Sequence, residues 1–238
     1  MPVFVLHHAT TVPTPSSPLY VYGYGSYGCC CEPSFTASIL SLVDRGFVTA
    51  TACVRGGADK GRNWFLNGRM FSKKNSFTDF IAAVEHLHSS GMGCKATTII
   101  HGASAGGMLV GAVATMRPDL QAACVMQVPF VDVLNTMSDE TLPLTPMEWP
   151  EWGNPLVSEE AYDYIASYSP YDNVCDAAYP TTLILGGLTD SRVTYAPQRL
   201  PAVIFCNNLT RYWEPAKMTA AMRAHNTGPN NILLKARA

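Results

Sequence analysis

The chain has 238 residues, enough for one large domain or two small ones around a sizeable core. Hydrophobic residues make up 47% and charged residues 14%, which excludes a disordered chain and leaves a surface poor in charge. With 16 basic and 18 acidic residues the net charge is −2, so nothing electrostatic points to nucleic acid or an anionic membrane. So thin a charged surface is expected to be partly covered, by another domain or a further piece of chain.

Strand-like apolar runs fall at 3–6, 19–22, 47–54, 97–100, 122–127, 181–185 and 232–235. Helical patterns lie between them. Over 76–90, Phe77, Phe80, Ile81, Val84, Leu87 and His88 recur at three- and four-residue steps, with Ser76 and Asp79 placed as an N-cap pair. Further helices are expected at 105–116, stopped by Pro118, and at 214–224. The Pro- and Trp-rich stretch 142–155 reads as a long surface loop. The uncharged run 96–116 is long enough for a membrane span. Gly102, Gly106, Gly107 and Gly111, with His101 and Ser104, divide it instead into strand, turn and helix. Strands alternating with helices imply an α/β fold, a doubly wound and mostly parallel sheet with helices on both faces.

Eight cysteines, at 29, 30, 31, 53, 94, 124, 175 and 206, form no CxxC pair and fit no zinc spacing. They read as reduced structural thiols of a cytoplasmic protein, with a reactive thiol in the run 29–31 as the alternative. The opening MPVFVLHHATT has neither a positive n-region nor a small-residue cleavage site, so no secretion signal is expected. No metal or cofactor is expected either.

The strongest chemical signal is Gly102-Ala103-Ser104-Ala105-Gly106, which fits G-x-S-x-G between an apolar strand and a helix of small residues. Such a turn exposes a serine hydroxyl as a nucleophile; an ordinary glycine-rich turn is the other reading. A nucleophilic serine needs an acid and then a histidine further along the chain. Asp190 follows the run 181–185 directly, where a triad acid or a plain turn aspartate would stand. Of the histidines 7, 8, 86, 88, 101 and 225, only His225 follows Asp190. It precedes the last strand instead of following it, and so reads as a helix C-terminal residue.

Seven motifs in order, YVYGYGSYG (20–28), RGG (55–57), GASAGG (102–107), VPFVDV (128–133), EWGNP (151–155), SYSPYDNV (167–174) and DSRV (190–193), resemble the prolyl oligopeptidase family of serine peptidases. Its oligopeptidase B branch is the most similar. The resemblance covers nearly the whole chain. It implies an α/β-hydrolase peptidase domain over 1–238, which in the family is capped by a β-propeller that admits only short peptides. It further implies Ser104 as nucleophile, Asp190 as triad acid, and the amide of Ala105 with the hydroxyl of Tyr24 as the oxyanion hole. Arg192 would hold the substrate backbone, and Glu148 would recognise a basic side chain before the cleaved bond.

Three departures accompany the resemblance. The second carboxylate of the specificity segment is replaced by Pro150, and of an acidic pair near the first motif only Glu32 persists, with Ser34 in the other place. Residues 194–211 separate DSRV from YWEPAK (212–217), as an insertion or a gene-model artefact. The domain is expected to be incomplete at its C-terminus, without the family's histidine loop and without a propeller. An esterase or acyl hydrolase on the same fold, and a non-catalytic truncated homologue, are the competing readings.

Overall fold

The computed structural model describes residues 1–187 and 213–237. Its strands are β1 (Val3–Leu6), β2 (Leu19–Gly23), β3 (Val48–Ala52), β4 (Thr98–Ala103), β5 (Ala123–Gln127), β6 (Thr181–Gly187) and β7 (Ile232–Arg237). Its α-helices are α1 (Ala37–Val43), α2 (Arg62–Leu66), α3 (Lys74–Ser89), α4 (Ala105–Met116), α5 (Val133–Met137), α6 (Thr145–Trp152), α7 (Glu159–Ala166) and α8 (Trp213–His225). The seven strands form one sheet in the order β1-β3-β2-β4-β5-β6-β7. Only β1 runs antiparallel to its neighbour. The expected α/β-hydrolase architecture is what the chain adopts.

The period-2 rule assigns the two sheet faces. The register sets Val21 beside Ala50 and Ile100, Ile100 beside Cys124, and Met126 beside Ile184. All six are buried. On this face Phe80 of α3 and Leu109 of α4 close over Gly23, where an added Cβ would come within 2.7 and 2.8 Å of them. The alternate residues Tyr20, Tyr22 and His101 are half-buried, and Phe4 and Leu6 are exposed. Among the described residues helices lie on both faces, but unequally.

Two local expectations fail for identifiable reasons. Helix α3 begins at Lys74, so Ser76 is no N-cap. Its hydroxyl instead donates to the Arg55 carbonyl at 2.6 Å, while Asp79 accepts from Arg55 through its backbone amide, Nε and Nη2. The stretch 142–155 is not a surface loop, since it contains α6 with Glu148, Glu151 and Trp152 buried. Pro146 sits in the first turn, where its missing N–H costs nothing, and buried aromatic packing offsets the cost of Pro150 inside.

The late motifs lock onto the segment after β5. The buried Glu214 carboxylate accepts from the amides of Val131 and Asp132 at 2.8 and 3.0 Å, and from the Thr136 hydroxyl at 2.8 Å. Lys217 pairs with Asp132 and lies 4.2 Å from the Tyr171 ring centre. The Tyr171 amide donates to Val131 at 3.0 Å.

Burial pushes Glu214 up to about 8, against the opposing hydrogen bonds from Asp132, Thr136 and Val131. The folded state therefore keeps a proton that the unfolded chain releases near the ordinary carboxylate value of 4.5. Stability from this group is present below about 4.5 and lost as pH rises through about 8. Glu214→Gln keeps an oxygen for the two amides and an N–H for the Thr136 oxygen. Urea unfolding at pH 5 and pH 8.5 is expected to show the variant gaining on the parent chain as pH rises; an equal difference at both values would contradict this.

Candidate active site

Ser104 sits between β4 and α4 with φ 55° and ψ −119°, a left-handed conformation that costs a non-glycine residue free energy. Three backbone bonds hold it there. Its amide donates to Gln127 at 2.9 Å, and its carbonyl accepts from Phe130 at 3.1 Å and Met108 at 3.2 Å. The flanking glycines are sterically required. A Cβ on Gly102 would stand 2.0 Å from the Gly106 oxygen, and one on Gly106 would stand 2.6 Å from the Gly23 oxygen. One on Gly107 would meet Pro129 at 2.5 Å. The motif is thus a strained strand-to-helix elbow and not an ordinary turn, with Ser104 only 8% exposed.

Ala105 is the first residue of α4, so its N–H belongs to the first turn, whose amides have no acceptor within the helix. A helix N-terminus favours negative charge at this point. Tyr24 lies against the same turn, its Cα and ring edge each 3.2 Å from where a Gly106 Cβ would be. The fold therefore brings Ser104, Ala105 and Tyr24 together.

An aromatic cluster continues from the elbow. Phe130, bonded through its amide to Ser104, packs its ring 5.5 Å from Trp152, and Tyr27 meets Trp152 edge-on at 5.5 Å. Glu148 accepts from the Trp152 indole at 2.9 Å and interacts with the Tyr27 side chain. Glu151, which the sequence reading did not single out, accepts from the Tyr27 amide at 2.9 Å. Burial raises the pKa of both carboxyls, opposed at Glu148 by Tyr27 and Trp152 and at Glu151 chiefly by Lys73. The signal for Glu151 was its i+3 spacing from Glu148, which places both on one helix face.

A cavity of about 700 Å³ is lined by Tyr24 together with Tyr20, Tyr22, Cys31, Glu32 and His101 among others. Glu32 thus lies toward the cysteine run, whereas Glu148 lies in the aromatic cluster on the Tyr27 side. Burial pushes Cys31 and Cys53 up to about 12, so both are thiols and not thiolates at neutral pH.

Asp190, Arg192 and the stretch 194–211 lie outside the described residues. Strand β6 ends at the same sheet edge as Ser104, with β5 between them: Leu185 pairs with Gln127 and accepts from the Val128 amide at 2.8 Å. All six histidines are described. His7 and His8 follow β1 where Leu6 pairs with Thr49, His88 bonds Thr98 at the start of β4, and His86 is two residues earlier in the last turn of α3. His225 ends α8 and bonds Asp176 at 2.7 Å, beside the bridge of Ala177 with Asn226 that precedes β6. These five stand at the amino-terminal edge of the parallel strands, opposite Ser104. His101 lies within β4, its Nδ1 bonded to the Tyr20 hydroxyl and its ring near Tyr22.

The model of the prolyl oligopeptidase family matches residues 33–236, and the chain belongs to that family. It is 40% identical over 235 residues to dipeptidyl aminopeptidase BI of Pseudoxanthomonas mexicana, covering 99% of this chain and 30% of that protein. It is 45% identical over 219 residues to protease 2 of Moraxella lacunata, covering 92% of this chain and 29% of that one. Among solved structures, oligopeptidase B from Trypanosoma brucei with covalently bound antipain, in a closed form, superposes with a TM-score of 0.89. Sequence identity there is 43%, with 99% of this chain and 31% of that chain covered. The chain spans about 30% of the length of these relatives.

The elbow makes a stability prediction. Gly102→Ala drives a Cβ into backbone that cannot retreat, whereas a Cβ at Gly187 meets nothing within 4 Å among the described residues. Urea unfolding is expected to show a loss of about 2 kcal/mol or more for the first and near-neutrality for the second. Equal effects would contradict the backbone contact.

Proposed function

We propose that this chain is the nucleophile-bearing part of a serine peptidase that cleaves short peptides through an acyl-enzyme. The observation that carries the reading is the elbow: a strained Ser104 held over the first amides of α4, with Tyr24 against the same turn. Membership of the prolyl oligopeptidase family supports it.

In this reading the Ser104 oxygen adds to the scissile carbonyl carbon while its proton passes to a base. The oxyanion that forms is met by the Ala105 amide and the Tyr24 hydroxyl. The C–N bond then breaks, the amine leaves with the proton, and water hydrolyses the ester to free Ser104. Asp190 is assigned as triad acid and Arg192 as a holder of the substrate backbone. Glu148 is assigned to a basic side chain before the cleaved bond. Its burial against Trp152 supports this, because a buried carboxylate discriminates strongly for a partner that neutralises it. Glu32, which lines the cavity beside the cysteine run and not the Glu148 cluster, is assigned to substrate binding on the family resemblance alone.

We further assign residues 1–238 to one peptidase domain, with 194–211 as an insertion. No helix among the described residues is long and apolar enough to cross a membrane. A cytoplasmic location is part of the same proposal, resting on the reading of the cysteines as reduced structural thiols.

The histidines favour a second reading for the 238-residue polypeptide by itself, as a family member without turnover. Five face away from Ser104, and the sixth is bonded to Tyr20. Loss of a triad member costs on the order of a million-fold in kcat in a well-studied hydrolase. The polypeptide, made alone, is expected to cleave no arginyl or lysyl peptide above background and to resist a serine-directed phosphonate probe. Turnover that disappears in Ser104→Ala would show that one of the six histidines serves as the base.

A further inference from the structure

Lys73 is a fully buried cation that no step above uses. Its three N–H groups have three destinations: the Gly25 carbonyl, the Ser26 hydroxyl at 2.8 Å, and the face of Trp152, 5.1 Å from the ring centre. Gly25 and Ser26 join Tyr24, which rests on the first turn of α4, to Tyr27, which packs on Trp152 and interacts with Glu148. Tyr27 sits at φ 59° and Gly25 at φ 72°, a turn that needs outside support. The ammonium therefore lies at the joint between the two halves of the site. One half is the oxyanion pair Tyr24 and Ala105; the other is the carboxylate Glu148 on α6.

We propose that Lys73 is a positioning residue whose ammonium clamps the turn 24–27 to helix α6, setting Tyr24 and Glu148 in register with Ser104. This rests on the reading of the site given above. A buried ammonium is costly unless every N–H is satisfied, and a methionine of similar shape would fill the space more cheaply. The charge is therefore explained by what it binds.

The clamp holds only while Lys73 is protonated, and burial lowers its pKa to about 8, with Glu151 opposing the shift. The other titratable groups around it are Glu148, Arg69, Tyr164 and Tyr168. Burial raises both tyrosines above their ordinary value of 10, away from this window.

The test follows the indole N–H resonance of Trp152, identified by its loss in Trp152→Phe, from pH 6.5 to 9.5. One inflection near pH 8 is expected. It should move to lower pH in Ser26→Ala, which removes an acceptor, and vanish in Lys73→Met. Benzamidine, which stays cationic throughout, serves as the probe of Glu148. If only the clamped form binds, its affinity falls about tenfold between pH 7 and pH 9. An inflection that persists in Lys73→Met, or none in the parent chain, overturns the proposal without needing the variant to bind anything. Affinity that rises with pH also overturns it, since Lys73 would then be a mere counter-charge repelling the probe. No benzamidine binding at any pH, with the indole behaving as expected, removes the role of Glu148 and leaves the clamp standing.

Discussion

The buried carboxylate of Glu214 fixes the short segment after β5, and most of the site is hung from that segment. Its oxygens take the amides of Val131 and Asp132, groups that would otherwise be buried without acceptors. One residue earlier, Phe130 donates to the Ser104 carbonyl and turns its ring toward Trp152. Two residues earlier still, Val128 adopts φ 40° and donates to Leu185, tying the segment to β6. Deleting or displacing the Glu214 side chain would therefore be felt at the nucleophile through a chain of backbone bonds.

This coupling gives a physical reason for motifs far apart in sequence to occur together. VPFVDV supplies amides and the carboxylate of Asp132; YWEPAK supplies Glu214 and Lys217 to meet them. The SYSPYDNV stretch places Ser169 to accept from the Leu134 amide at 3.4 Å and donate to Asp172 at 2.6 Å. RGG and the YVYGYGSYG stretch meet in the same way, with the Gly28 amide donating to Gly56 at 2.9 Å. Each motif is half of a contact.

The sheet, α3, α4, α8 and the elbow were legible because their signals are local. Apolar alternation, helical spacing and paired glycines each report on a few neighbouring residues. Helix α6 was not legible, because its two prolines signal a loop while the energy that overrides them comes from Phe130 and Tyr27, distant in sequence. Lys73 was equally silent: nothing in its neighbours distinguishes a buried lysine from a surface one. The false N-cap at Ser76 arose likewise, since the Arg55 carbonyl that recruits its hydroxyl is twenty-one positions upstream. Five of the six histidines were separable from Ser104 only once the strand directions were known.

The contact of backbone on backbone beneath Ser104 also reaches into the gene. Any side chain other than hydrogen at positions 102 and 106 brings a Cβ, and that atom alone collides, whatever its chemistry. Glycine codons share their first two bases and vary freely at the third. Every missense change at the first or second base of these two codons therefore strikes the same atom, and only silent drift at the third base leaves the elbow intact.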